Sequence, residues 1–120
     1  MNFYEYRQNN SGGSFDMDLG ILVYIQANNS EEANDIALNN GIYFNGVSTD
    51  RDCSCCGDRW YEADSHDVMN KESLYSSIKN TLFGFIEKIA IIFQDGKIIT
   101  FDENSKNNQD NLDIFLDRTE

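Results

Sequence analysis

Lys88-Ile89-Ala90-Ile91-Ile92-Phe93-Gln94-Asp95-Gly96-Lys97-Ile98-Ile99-Thr100-Phe101 sets two apolar, β-branched runs on either side of Asp95-Gly96. Asp-Gly between such runs is a strong short-range hairpin signal, because both residues tolerate the backbone angles that a tight turn between twisted strands requires. The stretch predicts a β-hairpin late in the chain.

Upstream of it, Leu74, Ile78, Leu82 and Ile86 recur every four residues after the polar start Asn70-Lys71-Glu72, the pattern of an amphipathic helix. Further back, Asn29-Ser30-Glu31-Glu32 reads as the start of another helix. The Asn29 side chain can cap free backbone N–H groups, the two carboxylates suit the positive end of the helix dipole, and Glu32 could close a capping box. Ala33, Ile36, Ala37 and Asn40 then share one face, and Gly41 is placed to stop the helix in a left-handed conformation. Small residues on that face let the helix lie close to a sheet.

Three further strands are expected. Ile21-Leu22-Val23-Tyr24-Ile25, within Leu19 to Ala27, suits a central strand buried on both faces. Asn2 to Arg7 alternates with a period of two and is rich in aromatics, as a first strand would be. Ile42-Tyr43-Phe44, ended by Asn45-Gly46, reads as another. Downstream of the hairpin, Asp102 to Asn111 is polar linker, and Leu112, Phe115 and Leu116 form a closing turn or a loosely docked tail over about 103–120. The expectation is one small α+β domain over 1–120, with a mainly antiparallel sheet and two helices packed on it. It includes an irregular cysteine-containing loop over about 47–70.

Composition narrows the function classes. The 120 residues carry 21 acidic against 9 basic side chains, for a net charge of −12. Such a surface repels phosphate backbones and anionic lipids, which argues against direct nucleic-acid binding. Eight Phe and six Tyr supply a core despite that charge. The densest apolar stretch, Leu82 to Phe93, is interrupted by Gly84, Glu87 and Lys88, so no membrane span is expected. Asn2 to Arg7 lacks the basic-then-apolar run of a signal peptide, and the three cysteines all fall between Cys53 and Cys56. Together these features point to a cytoplasmic protein.

One segment concentrates reactive side chains: Asp52-Cys53-Ser54-Cys55-Cys56-Gly57-Asp58-Arg59-Trp60, with the single histidine, His66, beyond it. Cys53 and Cys56 followed by Gly57 have the spacing of a zinc knuckle. One knuckle supplies two ligands only, so a zinc site would draw on Cys55 and His66, on Asp52, Asp58 or Asp64, or on a second subunit. Uncoordinated or redox-labile cysteines are the other reading. A cysteine enzyme would use His66 as the base, against acidic neighbours that disfavour a thiolate and without an oxyanion feature. The sequence therefore leans away from an enzyme, with no catalytic residue assigned.

A binding site is also legible. Arginine occurs only at positions 7, 51, 59 and 118, and Arg59-Trp60-Tyr61 sets one beside two aromatics. With the loop Asn9-Asn10-Ser11-Gly12-Gly13-Ser14, Arg59 and Trp60 could hold a phosphate or nucleotide, the backbone gripping the anion and the indole stacking on a base. Ser-Gly-Gly-Ser with no lysine or following helix is not a P-loop. The competing reading pairs Arg59 with Asp58 or Asp52 and makes Trp60 a cap on the core. The pairs Glu31 with Glu32 and Asp64 with Asp67 have local explanations, a helix dipole and a polar loop.

Phe3-Tyr4-Glu5-Tyr6-Arg7-Gln8-Asn9-Asn10-Ser11-Gly12-Gly13-Ser14-Phe15, Gly41-Ile42-Tyr43-Phe44 and Cys53-Ser54-Cys55-Cys56-Gly57-Asp58-Arg59-Trp60, taken together, resemble a family of small uncharacterised proteins of tailed bacteriophages. The resemblance covers roughly the first half of the chain. It implies expression inside an infected bacterium and no particular reaction. In that setting the expected role is a non-enzymatic accessory protein that binds and inhibits a bacterial host protein, in host takeover or counter-defence. A binder of a nucleotide or nucleotide-derived signal and a zinc- or cysteine-dependent enzyme are the alternatives. If the two loops meet, Asn10, Ser11, Gly12, Gly13, Arg59 and Trp60 line one cleft.

Overall fold

The computed structural model describes residues 1–13, 15–82, 88–102 and 106–119. The chain is an α+β domain built on one five-stranded mixed sheet, with strands β1 (Asn2–Arg7), β2 (Leu22–Ala27), β3 (Val68–Met69), β4 (Ile89–Ile92) and β5 (Ile98–Phe101). Their spatial order is β3-β1-β2-β4-β5. The expected central strand is the middle one. Its neighbour β1 runs antiparallel to it with Tyr4 opposite Ile25, and β4 runs parallel to it with Tyr24 opposite Ile91. The parallel pair is a departure from an otherwise antiparallel sheet, and it follows from the long connection that separates β2 from β4.

Strand periodicity makes two cores. Phe3, Leu22, Tyr24, Ile89, Ile91, Ile99 and Phe101 point to one face, where Leu74 and Ile78 of helix α2 (Lys71–Leu82) and Leu112 and Phe115 of helix α3 (Asn108–Arg118) cover them. Tyr4, Tyr6, Val23, Ile25, Ala90 and Ile92 point to the other, beneath Ala33 and Ala37 of helix α1 (Ser30–Asn39), Ile42, Trp60 and Ala63. Strands β2 and β4 therefore bury both faces, which is why their sequences read as continuous apolar runs.

Local signals act much as expected. Asn29 Oδ1 accepts the N–H of Glu32, while Glu32 Oε1 reaches back to the N–H of Asn28, one residue before the usual capping-box partner. At the other end of α1, Gly41 has φ +89° and the Ile42 N–H bonds to Ala37 O, a Schellman-type closure. In the hairpin, Gly96 N–H donates to Phe93 O and Phe93 N–H to Lys97 O, a three-residue loop.

Two expectations change. Ile42-Tyr43-Phe44 is not a strand: Ile42 is drawn into the core beside α1 and the sheet already has its partners at both sides of β2. The C-terminal segment, expected as a closing turn or loosely docked tail, contains an 11-residue helix, because Phe115 enters the core fully and Phe3 packs against it at 5.6 Å between ring centroids. Ile86 of the α2 pattern and Ser14 of the glycine loop lie outside the described residues.

Candidate functional site

The chain leaves β1 through Gln8 and Asn9 into a single 3-10 turn, Ser11–Gly13, and this turn sits directly against the cysteine loop. Asn9 N–H donates to Arg59 O at 2.8 Å, and Asn9 Nδ2 donates to Cys56 O at 2.7 Å and Asp58 O at 3.2 Å. Ser11 Oγ accepts the N–H of Cys53 at 3.1 Å. The two segments are thus bonded to each other.

What they enclose is a structural network. Arg59 Nη1 donates to Gln8 Oε1 at 2.7 Å, Nη2 to Ser11 O at 3.2 Å and Nε to Tyr43 Oη at 3.3 Å. Its Nε also lies 3.8 Å from Asp52 Oδ1, and the Asp52 side chain is completely buried. Asp52 in turn accepts the Arg59 N–H at 2.7 Å and the Tyr43 hydroxyl at 2.6 Å. Burial, with the carboxylate bond added, holds the Tyr43 hydroxyl above its ordinary pKa. Arg51 stacks over the Tyr43 ring, 3.8 Å from its centroid. Asp58 caps a neighbouring turn by accepting the Val47 N–H at 2.9 Å. The expected pairing of Arg59 with Asp52 is therefore realised, and Asp58 serves elsewhere.

Trp60 is 3% exposed and belongs to the core beneath α1. The cavity it borders, with Asp16, Asp18, Leu19, Asn40 and Gly41, is about 90 Å³, below the roughly 300–1,000 Å³ of small-molecule sites. Ser11 is buried, Asn10 and Gly13 are exposed, and the N–H groups of Asn10, Ser11 and Gly13 bond within their own turn to Asn9 or Asn10. Of these residues Ser11 and Arg59 meet directly, with the Arg59 guanidinium turned into the molecule, while Trp60 lies in the core beneath α1.

The cysteines form a compact surface group. Cys53 and Cys55 are joined as a disulfide, and Cys56 is the remaining thiol, with its sulfur 3.5 Å from that of Cys55. The Cys55 N–H points at Cys53 Sγ over 3.4 Å, and the N–H groups of Cys56 and Gly57 both donate to Cys53 O, the backbone path of a knuckle. His66 does not join them. Its ring is 91% exposed beside Asp64 and lines a depression with Glu5, Asp67 and Val68 near β3. Among the described residues, no group of three or more His, Cys, Asp or Glu side chains is arranged to hold a metal ion.

Sequence reasoning missed Gln8, which is 3% exposed. Its Nε2 donates to Asp16 O at 2.8 Å and Gly20 O at 3.0 Å, and its Oε1 accepts the Asp16 N–H as well as Arg59. Lys88 Nζ adds a bond to Met17 O at 2.7 Å. The segment so anchored displays Phe15 and Met17, 42% and 47% exposed, alternating with the exposed acids Asp16 and Asp18. The alternation Phe-Asp-Met-Asp was the only available signal, and it is easily taken for linker.

Among the described residues no helix is long and apolar enough to cross a membrane. No curated protein and no solved structure matches the chain. Residues 1–109 match Domain of unknown function (DUF7296), and the chain belongs to that family.

Proposed function

We propose that this chain is a non-enzymatic accessory protein of a tailed bacteriophage that acts in the host cytoplasm by binding and blocking a basic surface on a bacterial protein. The observation that carries the reading is the Phe15–Asp18 segment, two large apolar side chains and two carboxylates held outward by Gln8 and Lys88. Exposed aromatic and methionine side chains are the anchors that protein interfaces favour, and a segment already fixed by hydrogen bonds loses little freedom on docking. A net charge of −12 speeds encounter with a basic target. The nucleotide-binding alternative is weaker, because Arg59 and Trp60 are committed to the interior.

The test is capture from bacterial lysate by the intact chain and by a Phe15→Ser/Met17→Ser double variant, at low and at high salt. The expected result is a partner retained at low salt, reduced at high salt, and lost with the double variant while the variant's thermal unfolding is unchanged. Equal capture by both proteins, or capture indifferent to salt, overturns the proposal.

A further inference from the structure

We infer that the Cys53–Cys55 disulfide with Cys56 beside it is a thiol–disulfide exchange site, at which a small thiol or a cysteine of a partner protein attacks Cys55. The inference goes beyond the host-factor reading and does not depend on it.

Exchange needs an accessible sulfur, a leaving group that bears negative charge well, and a second thiol in reach. Cys53 and Cys55 are both exposed, so an incoming thiolate can approach the bond. The two sulfurs are unequal. The Cys55 N–H is directed at Cys53 Sγ, and a backbone donor there favours the thiolate form of Cys53. The Cys53 end is also tied down through its own N–H to Ser11 Oγ and through its carbonyl to Cys56 and Gly57. Attack therefore falls on Cys55 Sγ. An incoming thiolate forms a sulfur–sulfur bond to Cys55, the Cys53–Cys55 bond breaks, and its electron pair leaves with Cys53 as thiolate. Cys56 Sγ, 3.5 Å from Cys55 Sγ, is then placed to attack Cys55 as a thiolate. That second step forms a Cys55–Cys56 bond and expels the incoming thiol as its thiolate. The proton given up by Cys56 is taken up by Cys53, and no electrons are gained or lost over the two steps, so the net change moves the disulfide from Cys53–Cys55 to Cys55–Cys56 without an external oxidant.

The experiment equilibrates the intact chain across a series of reduced-to-oxidised glutathione ratios, quenches with acid, alkylates the remaining thiols and maps the modified peptides by mass. At the reducing end all three cysteines are expected to be alkylated, and at the oxidising end only one. Intermediate ratios should carry glutathione on Cys55 with Cys53 alkylated, and Cys56→Ser should raise that adduct at least threefold. Adduct on Cys53 in place of Cys55, three alkylatable thiols at every ratio, or thiols protected until a chelator is added would each overturn the inference, the last in favour of a metal. An unchanged adduct level in a folded Cys56→Ser chain overturns the resolving step, and if that variant does not fold, the wild-type map decides which sulfur is attacked.

Discussion

Arg59 Nη1 rests 2.7 Å from Oε1 of Gln8, 51 residues earlier in the chain, and the same amide oxygen accepts the Asp16 N–H. One buried amide thus couples three segments: the end of β1, the Phe15–Asp18 segment and the cysteine loop. Gln8→Ala removes those bonds together and leaves buried backbone groups with fewer partners. It is expected to cost roughly 2–4 kcal/mol, since bonds to charged donors are worth more than neutral ones. Urea unfolding checks this, and a loss under about 1 kcal/mol would mean that water replaces the amide without penalty.

Asp52 is the second hub, and glycine at position 46 makes room for it. A Cβ on Gly46 would collide with the Asp52 carboxylate, whose side chain is fully buried. Asp52→Ala takes the acceptor from the Tyr43 hydroxyl proton and removes the buried carboxylate that faces the Arg59 guanidinium, with an expected cost of about 3–5 kcal/mol. Gly46→Ala is expected to cost about 1–3 kcal/mol by overpacking. Because both act through one carboxylate, the double variant should lose less than the two losses added. Simple additivity in equilibrium unfolding would show that Gly46 matters for some other reason.

Trp60 is the chain's single tryptophan and therefore a clean reporter. At 3% exposure its emission is expected to be blue-shifted in the native protein and poorly quenched by acrylamide, moving to the red on unfolding. Trp60→Ala should cost about 3–5 kcal/mol, the range for emptying an aromatic site in a packed core. Native emission already typical of water would return Trp60 to the surface and revive its use as a stacking platform.

The strand at the centre, the hairpin and the cap of α1 were legible because each rests on local chemistry: a β-branched run, Asp95-Gly96, and Asn29 before two carboxylates. The meeting of the Ser11 turn with the cysteine loop was also within reach, as two turn-rich segments that needed partners. What could not be read was which way Arg59 and Trp60 face, since a cation beside an indole looks the same whether its partners are a ligand or Gln8 and Asp52. Ile42-Tyr43-Phe44 misled for a similar reason. Its β-propensity reflects burial beside α1, and propensity for a half-buried surface does not distinguish a strand from a packed coil.

Stability should fall at both ends of the pH range. On the acid side, Glu32 is held below its ordinary pKa by the Asn28 backbone N–H and then by Gln94, and Asp95 is held low chiefly by Arg118. Groups with lowered folded pKa contribute above their unfolded values and lose that contribution as pH falls through the folded ones, so the decline lies below the usual carboxylate range. On the alkaline side, burial raises Tyr6, assisted by the Asp67 charge. Its contribution is complete below the unfolded tyrosine pKa and is lost as pH rises past it. Tyr6→Phe gives up the 2.6 Å bond to Asn34 and should be about 1 kcal/mol less stable at neutral pH, yet flatter at high pH. An alkaline limb as steep as that of the wild type would assign the effect to other groups.

Helix α3 decides whether the core on the α2 side of the sheet closes. Phe115 is fully buried and its ring contacts Phe3, which also meets Phe93 edge-on at 6.3 Å; Arg118 then lies over the Phe93 ring and bonds Asp95 at 3.0 Å, tying the end of α3 to the hairpin turn. Without the helix, one face of β2, β4 and β5 would present Leu22, Ile91, Ile99 and Phe101 with cover from α2 alone. Phe115→Ala is accordingly expected to cost about 3–5 kcal/mol, whereas Arg118→Ala, which removes a half-exposed pair, should cost no more than about 1 kcal/mol. A chain cut after residue 107 should lose cooperative unfolding and bind a hydrophobic dye, because the exposed apolar face is continuous. Cooperative unfolding of the cut chain at near wild-type stability would make α3 an appendage and leave α2 as the sole cover of that face.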